Sequence, residues 1–204
     1  MSWGYRAQVP MMSSSRLRYS CRNTEPTSRW MASTASTTRT IPSTNLSWAQ
    51  TFVRVVNSAA IGALKKALKI FVETRTAAAT SDPTKLAGDV ETQTRIAQVM
   101  NTIAELEAVM FYNFDQMESS DWQPSIEERV LFRYQASLVI DKAIDAIDTL
   151  FDVAGGRAVF NGHPLQNLWH DIHIARCHVA NNPTGFARNL GAMQLGMENQ
   201  DVFV

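Results

Sequence analysis

The sequence of 204 residues has little cysteine, no net charge and no long apolar run. Its two cysteines, Cys21 and Cys177, match no zinc-binding or redox spacing, which indicates reduced, intracellular thiols. Basic and acidic residues number 19 each, so the charge balance gives no electrostatic case for nucleic acid or an anionic membrane. No apolar stretch approaches the roughly 20 residues that cross a bilayer. We therefore expect a cytoplasmic protein with neither nucleic-acid nor membrane partners.

Acidic residues are almost absent from residues 1–45, which hold six arginines and only Glu25 as an acid. The segment is dense in Ser and Thr and has neither helical nor strand periodicity, so we expect it to be disordered. This composition is that of an organellar transit peptide, which would imply a mitochondrial location. The alternative, a non-native leader, is favoured because no amphipathic stripe runs through it. We expect a domain boundary between this leader and residues 46–204.

The remainder predicts four helices, over about residues 47–80, 90–119, 125–154 and 164–180. Apolar residues recur every three or four positions in each. The faces expected to be buried are Phe52, Val55, Ala59, Ala63, Ala67 and Phe71 in the first helix, Ile96, Val99, Ile103, Leu106, Met110, Phe114 and Met117 in the second, and Leu131, Tyr134, Leu138, Ile140, Ile144, Ile147, Phe151 and Ala154 in the third. Ser125 and Glu128 are spaced as a capping box. The fold class is therefore all-α, an antiparallel four-helix bundle, with no clear periodicity after Pro183.

All four histidines lie in or beside the fourth helix. A helical projection puts its core face at Leu165, Leu168, Ile172, Ala175 and Val179. His170 then faces solvent and His173 lies on a flank. His170 and His173 have the i, i+3 spacing of paired metal ligands on a helix, but such ligands must lie on the inward face, usually with carboxylates from facing helices. We therefore expect no metal site.

His178 is the histidine with the best position for chemistry. The projection puts it beside Asp171 at the edge of the core face, near the end of its helix. An imidazole titrates near neutral pH, so it can accept or donate a phenol proton. The alternative is a boundary histidine that caps the helix C-terminus.

One stretch, LFDVAGGRAVFNGHPLQNLWHDIHIARCHVANNP, carries a family resemblance, which NSAAIGALKKAL, VETQTRIAQ and FYNFD extend over residues 47–204. It resembles the C-terminal helical domain of flavin-dependent two-component monooxygenases with an acyl-CoA dehydrogenase fold. The resemblance implies hydroxylation of a small aromatic, phenolic substrate. It also implies reduced FMN or FAD from a separate flavin reductase, and a homotetramer.

The resemblance assigns roles residue by residue. His178 matches the histidine beside flavin and substrate, which takes the phenolic proton or supports the oxygen-activated flavin. Gly155, Gly156 and Arg157 match a turn that approaches the flavin, often from a neighbouring subunit. Paired glycines permit a close backbone approach and an arginine can bind phosphate, although the glycines also suit a simple helix C-cap.

The resemblance gives two further cofactor-binding positions, and it also shows where this sequence departs from the family's pattern. Arg75 occupies the place where relatives sometimes bind the flavin pyrophosphate, although an arginine near a helix end also interacts favourably with the helix dipole. Gln166 begins a motif that relatives usually read as Gln-Arg-x-x-Arg-Asp. Both arginines of that motif are replaced here, by Asn167 and His170. The family's N-terminal helical domain and middle β-domain, which build most of the flavin pocket, are not in this sequence.

The stretch after the fourth helix separates two branches of the family. Dehydrogenases need a glutamate base there, whereas this chain has no acidic residue between Val179 and Glu198. The hydroxylase branch is therefore favoured. The alternatives are a catalytically inactive helical oligomerisation fragment and an acyl-CoA dehydrogenase-type oxidoreductase.

Overall fold

The computed structural model describes residues 48–78, 84, 89–118 and 123–202, all within one unit that spans residues 43–204. Over these ranges the chain forms five α-helices and no strand: α1 (Trp48–Ala78), α2 (Val90–Glu118), α3 (Ile126–Asp152), α4 (Pro164–Ala175) and α5 (Pro183–Gln194). Short 3-10 helices span Gly156–Val159 and Val179–Asn181. The all-α class and the bounds of the three long helices are confirmed. The expected leader and the expected first residue of the first helix, Ser47, lie outside the described residues.

Consecutive long helices run antiparallel, as expected for a bundle. In each pair, residues with higher numbers on one helix contact residues with lower numbers on the next. The contacts are Lys65–Glu107 and Arg75–Thr92 between α1 and α2, Asn113–Gln135 and Lys142–Glu105 between α2 and α3, and Asp148–Trp169 and Asp141–Arg176 between α3 and α4 with its C-cap, Arg176. It follows that α1 and α3 are parallel.

A ladder of side-chain hydrogen bonds fixes the register of α1 against α3. Three polar side chains of α1 donate to backbone carbonyls of α3: Gln50 to Arg129 at 2.8 Å, Arg54 to Phe132 at 3.3 Å, and Asn57 to Ala136 at 2.5 Å. All three donors are buried. Since an unpaired buried polar group is costly, this ladder specifies one alignment of the two helices.

The core lies around α3, which packs against each of the other four α-helices. Ile140, Ile147 and Leu150 are fully buried there. In α2 the expected apolar stripe forms the inner face, with Val99, Ile103, Leu106 and Met117 buried and the other three half-buried.

The prediction of which face of α1 is buried is wrong over the first half of the helix. Val55 is 66% exposed, whereas Val53, Asn57, Ala60 and Leu64 are buried. The sequence places Gln50, Arg54 and Asn57 on what resembles a polar face, and the carbonyls of α3 make their burial favourable. Leu131 of α3 is likewise 38% exposed, although it was expected in the core.

The fourth helix ends at Ala175 rather than at residue 180. The buried Asn181 donates through Nδ2 to the Ala175 carbonyl at 2.8 Å, and the chain turns into the second 3-10 helix. Val179, which was expected in the core, is therefore 80% exposed. His178 lies outside α4, so its expected alignment with Asp171 does not hold.

The helix α5 is absent from the sequence prediction. Asn182 caps it by accepting a hydrogen bond from the Thr184 amide at 3.2 Å, and Pro183 occupies its first turn. Asn and Pro suit the beginning of a helix as well as the region after one, and the predicted fourth helix ended just before them, at about residue 180.

The expected capping box at the start of α3 is confirmed. The Glu128 amide donates to Ser125 Oγ at 3.1 Å, and the Ser125 amide donates to the Glu128 carboxylate at 2.8 Å.

Within the described ranges, every helix is too short or too polar to cross a membrane.

Candidate functional site

His178 lies in an anchored turn between α4 and α5. Its Nδ1 accepts a hydrogen bond from the Ala180 amide at 3.1 Å, so it caps the second 3-10 helix. Ala180 is buried in a small cluster with Val53 and Ala136, which holds the turn against α1 and α3. The imidazole is exposed, and its ring centroid lies 5.7 Å from that of Phe52.

This hydrogen bond determines what the imidazole offers to a ligand. A neutral ring whose Nδ1 accepts a hydrogen bond carries its proton on Nε2. His178 therefore presents an Nε2–H donor. To act as a proton acceptor it would have to release the Ala180 amide, because Nδ1 is the only ring nitrogen of this tautomer with a lone pair to accept a proton.

A cavity of about 440 Å³ lies at the other end of α1, against the turn after α3. We call it the glycine-turn cavity. Its lining residues are Ile70, Phe71, Thr74, Arg75, Ala78, Ala154, Gly155, Gly156, Arg157, His163 and Leu165. The structure thus brings together four of the five expected cofactor-binding residues. The fifth, Gln166, is half-buried in the first turn of α4 and does not line this cavity.

The glycine turn is open on its outer side. Gly155 has φ +79°, a conformation that favours glycine, whereas the φ of Gly156 is not positive. A Cβ added at either glycine would meet nothing within 4 Å. Arg157 is exposed, while the neighbouring Ala158 is buried and anchors the turn. Nothing within the described residues therefore occupies the space that these glycines leave free.

Arg75 reaches the cavity with part of its hydrogen-bonding capacity already used. Its Nη2 donates to Thr92 Oγ1 at 2.9 Å and to Asp89 Oδ2 at 3.3 Å. Asp89 also caps α2, because its Oδ1 accepts the Thr92 amide at 3.1 Å. The Thr92 side chain, the Thr92 amide and the Arg75 charge together lower the pKa of Asp89. Arg75 Nε is buried and has no partner within the described residues.

His163 is a cavity residue that the sequence analysis did not single out. Its Nδ1 accepts a hydrogen bond from the Leu165 amide at 3.2 Å, so Nε2 carries the proton and is a donor. The sequence signal that could have singled out His163 is its position directly before Pro164, because the residue before an N1 proline is the N-cap of the helix.

The two parts of the predicted site are far apart in one chain. His178 contacts Phe52, and the cavity is lined by Thr74 and Arg75 of the same helix. At 1.5 Å rise per residue, these positions on α1 are separated by roughly 30 Å. A single copy of this chain therefore cannot bring His178 to a ligand in the glycine-turn cavity.

The remaining helix histidines have separate surroundings. His170 is exposed, as the projection predicts. His173 Nδ1 lies 2.8 Å from the Trp169 carbonyl, and its Nε2 lies 3.4 Å from Asp148 Oδ1. Among the residues that the structure describes, no three His, Cys, Asp or Glu side chains form a group that could hold a metal ion.

The bundle and the glycine turn define the class of protein. Residues 54–183 match the family "Acyl-CoA dehydrogenase, C-terminal domain", and this match covers more than half of the sequence. The chain belongs to that family, as the resemblance of residues 150–183 predicts.

Particular relatives are flavin-dependent monooxygenases. The chain is 40% identical over 63 residues to "Flavin-dependent monooxygenase, oxygenase subunit HsaA" of Rhodococcus jostii (strain RHA1), a match that covers 31% of this chain and 16% of that protein. The crystal structure of 3-HSA hydroxylase from Rhodococcus sp. RHA1 is similar with a TM-score of 0.72 and 25% identity, over 78% of this chain and 42% of that one.

A second structure shows a likeness of fold alone. XiaF from Streptomyces sp., in complex with FADH2 and glycerol, matches with a TM-score of 0.65 and 17% identity, over 76% of this chain and 41% of that one. The chain thus spans less than half the length of these relatives.

Proposed function

We propose that this chain provides the C-terminal domain of a cytoplasmic flavin-dependent monooxygenase that hydroxylates a small aromatic, phenolic substrate. Reduced FMN or FAD would come from a separate flavin reductase. The observation that carries the proposal is that Arg75 and the turn of residues 155–157, from distant parts of the chain, line one cavity. The monooxygenase relatives support the same activity.

The residues of the glycine-turn cavity suit a flavin. Arg157 and Arg75 supply positive charge for a phosphate, and the His163 Nε2–H is a further donor. Gly155 and Gly156 leave the wall open for close approach of a flat ring. The bound flavin would supply the oxygen chemistry, while the protein orients the reactants and excludes water.

The distance between His178 and the cavity supports a site built from two copies of the chain. Since roughly 30 Å along α1 separates them, His178 would act on flavin held by the glycine turn of another subunit. This arrangement fits a homotetramer. With Nδ1 occupied by the Ala180 amide, His178 would act first as an Nε2–H donor, to the substrate oxygen or the flavin.

A second candidate function is a helical assembly module that catalyses nothing. The outer face of α2 favours it, because the neighbouring Phe111 and Tyr112 are 55% and 59% exposed. Large apolar side chains close together on a surface mark an interaction site. Both functions include assembly, and they differ in whether the glycine-turn cavity binds flavin.

Anaerobic titration of the purified chain with reduced FMN and with reduced FAD distinguishes the monooxygenase domain from the assembly module. Saturable binding should weaken at least about fivefold in Arg157→Gln, since a charged hydrogen bond to phosphate is lost. The matched control Arg188→Gln changes an exposed arginine of α5 and should bind as the wild type does. If the chain binds neither flavin in the high-micromolar range, the assembly module is the better conclusion.

A further inference from the structure

A second cavity lies inside the bundle, between α1, α2 and α3. Its volume is about 200 Å³, and its lining residues are Arg54, Asn57, Glu105, Leu106, Val109, Met110, Asn113, Gln135, Ala136, Leu138, Val139 and Lys142. We call it the Arg54 cavity. It shares no lining residue with the glycine-turn cavity. Pockets for drug-sized ligands measure roughly 300–1,000 Å³, so a ligand here would be small.

The Arg54 cavity is also separate from the surroundings of His178. Arg54 and Phe52, which contacts His178, are two residues apart on α1. At about 100° per residue they point to nearly opposite sides of the helix. A ligand beside Arg54 would therefore not lie at the imidazole.

Arg54 is 2% exposed and keeps unused donors. Its Nη1 donates to the Gln50 carbonyl at 2.6 Å and to Gln50 Oε1 at 3.1 Å, and its Nη2 donates to the Phe132 carbonyl at 3.3 Å. A guanidinium has five N–H groups, so two remain, on the adjacent atoms Nε and Nη2. The Nε atom is buried without a partner. Adjacent N–H groups of this kind bind a carboxylate through two parallel hydrogen bonds.

The charge of Arg54 is not neutralised within the described residues. No carboxylate there forms an ion pair with it, and its only ring partners are Phe114 and Phe132, each with its centroid 5.9 Å away. Burial lowers the pKa of Arg54 to about 10, which leaves the guanidinium charged at neutral pH. Buried charges are ordinarily paired, so an unpaired one beside a cavity indicates a missing anion.

The other walls add one acceptor and an apolar surface. Asn113 is 1% exposed and donates through Nδ2 to Gln135 Oε1 at 3.0 Å, while its Oδ1 is buried without a partner. Leu106, Val109, Met110, Leu138 and Val139 form the apolar part of the lining. At the rim, Lys142 and Glu105 lie 3.9 Å apart and offset each other, so Arg54 leaves the lining with a net positive charge.

We propose that the Arg54 cavity binds a small organic carboxylate with an apolar body, whose carboxylate accepts hydrogen bonds from Arg54 Nε and Nη2. A hydroxyl group on that body would donate to Asn113 Oδ1. The site is independent of the flavin chemistry proposed above, and its test requires neither flavin nor substrate.

The test is calorimetric titration of the purified full chain with benzoate, 4-hydroxybenzoate and benzamide at neutral pH. Benzoate should bind with one site per chain. The neutral benzamide, which has the same shape, should bind roughly tenfold to a hundredfold more weakly, because the charged hydrogen bonds are lost. Arg54→Met should weaken benzoate binding by a similar factor, and the exposed Arg188→Met should leave it unchanged.

Two further variants keep the test decisive if Arg54→Met does not fold. Val109 lines the cavity with a side chain that is 39% exposed, so Val109→Trp should fill the cavity from its outer wall with Arg54 unchanged, and it should abolish benzoate binding. Asn113→Leu should remove any preference for 4-hydroxybenzoate over benzoate. The proposal is overturned if benzoate does not saturate a site by roughly 10 mM, if benzamide binds equally well, or if folded Arg54→Met or Val109→Trp binds benzoate as the wild type does.

Discussion

The substitution Asp201→Ala tests how the C-terminal tail is held to the bundle. Arg133 of α3 and Asp201 form an ion pair through Nε and Oδ2, with side chains only 9% and 11% exposed. The Arg133 guanidinium also lies over the Phe186 ring of α5, 4.7 Å from its centroid. Asp201→Ala leaves a buried guanidinium without its carboxylate, and we expect it to loosen both the tail and α5.

The expected destabilisation is about 3 kcal/mol, the lower end of the range for removing one partner of a buried ion pair. For a domain of this size, 1 kcal/mol changes the melting temperature by about 2–4 °C. We therefore expect Tm to fall by roughly 6–12 °C. In the double variant Arg133→Met/Asp201→Ala no unpaired charge is buried, so most of the lost stability should return.

Thermal unfolding followed by circular dichroism measures both effects. The matched control is Asp145→Ala, which removes an exposed carboxylate from α3 and should change stability by less than about 0.5 kcal/mol. A Tm for Asp201→Ala equal to that of the control would refute the reasoning. So would a double variant no more stable than Asp201→Ala, because the cost would then not arise from the unpaired charge.

Three other predictions concern the glycine turn, Asp89 and His178. Gly155→Ala should destabilise the chain by about 1–3 kcal/mol in urea unfolding because φ is +79° and ψ is 169°, whereas Gly156→Ala should not; equal effects would contradict this. The pKa of Asp89 is lowered below 3.8, so its stabilisation is present above pH 4 and is lost as pH falls through the folded-state pKa. Wild type and Asp89→Asn should therefore differ in stability at pH 6, and the difference should shrink as pH falls below 4; a constant difference would argue against a charged cap. If the proposed function is right, His178→Ala should remove most hydroxylation in assays of the assembled protein with a flavin reductase, and His170→Ala should have little effect. Equal losses would argue against a role for His178.

Local sequence patterns predicted the long helices, because apolar spacing and helix capping act between residues that are close together in the sequence. The α2 stripe repeats over the whole helix, and the Ser125–Glu128 box needs only three residues of spacing. The end of α4 could not be predicted in this way, since it depends on Asn181 reaching back to the Ala175 carbonyl. The same Asn-Pro pair that begins α5 resembles a helix end when its tertiary partners are unknown.

The buried face of α1 shows a second limit of the sequence. Gln50, Arg54 and Asn57 lie in the core because carbonyls of α3, far along the chain, accept their hydrogen bonds. A hydropathy pattern assigns such residues to solvent. The donors and acceptors that define the Arg54 cavity were therefore not among the candidates from sequence.

The sequence by itself determined that this protein is a helical bundle with a glycine turn after its third helix, because apolar spacing, caps and glycines act within a few residues. Only the tertiary structure decided that Arg75 shares a cavity with that turn, and that His178 lies roughly 30 Å away along α1. The physical reason is that the packing and parallel register of α1 and α3, which no local pattern encodes, set these distances.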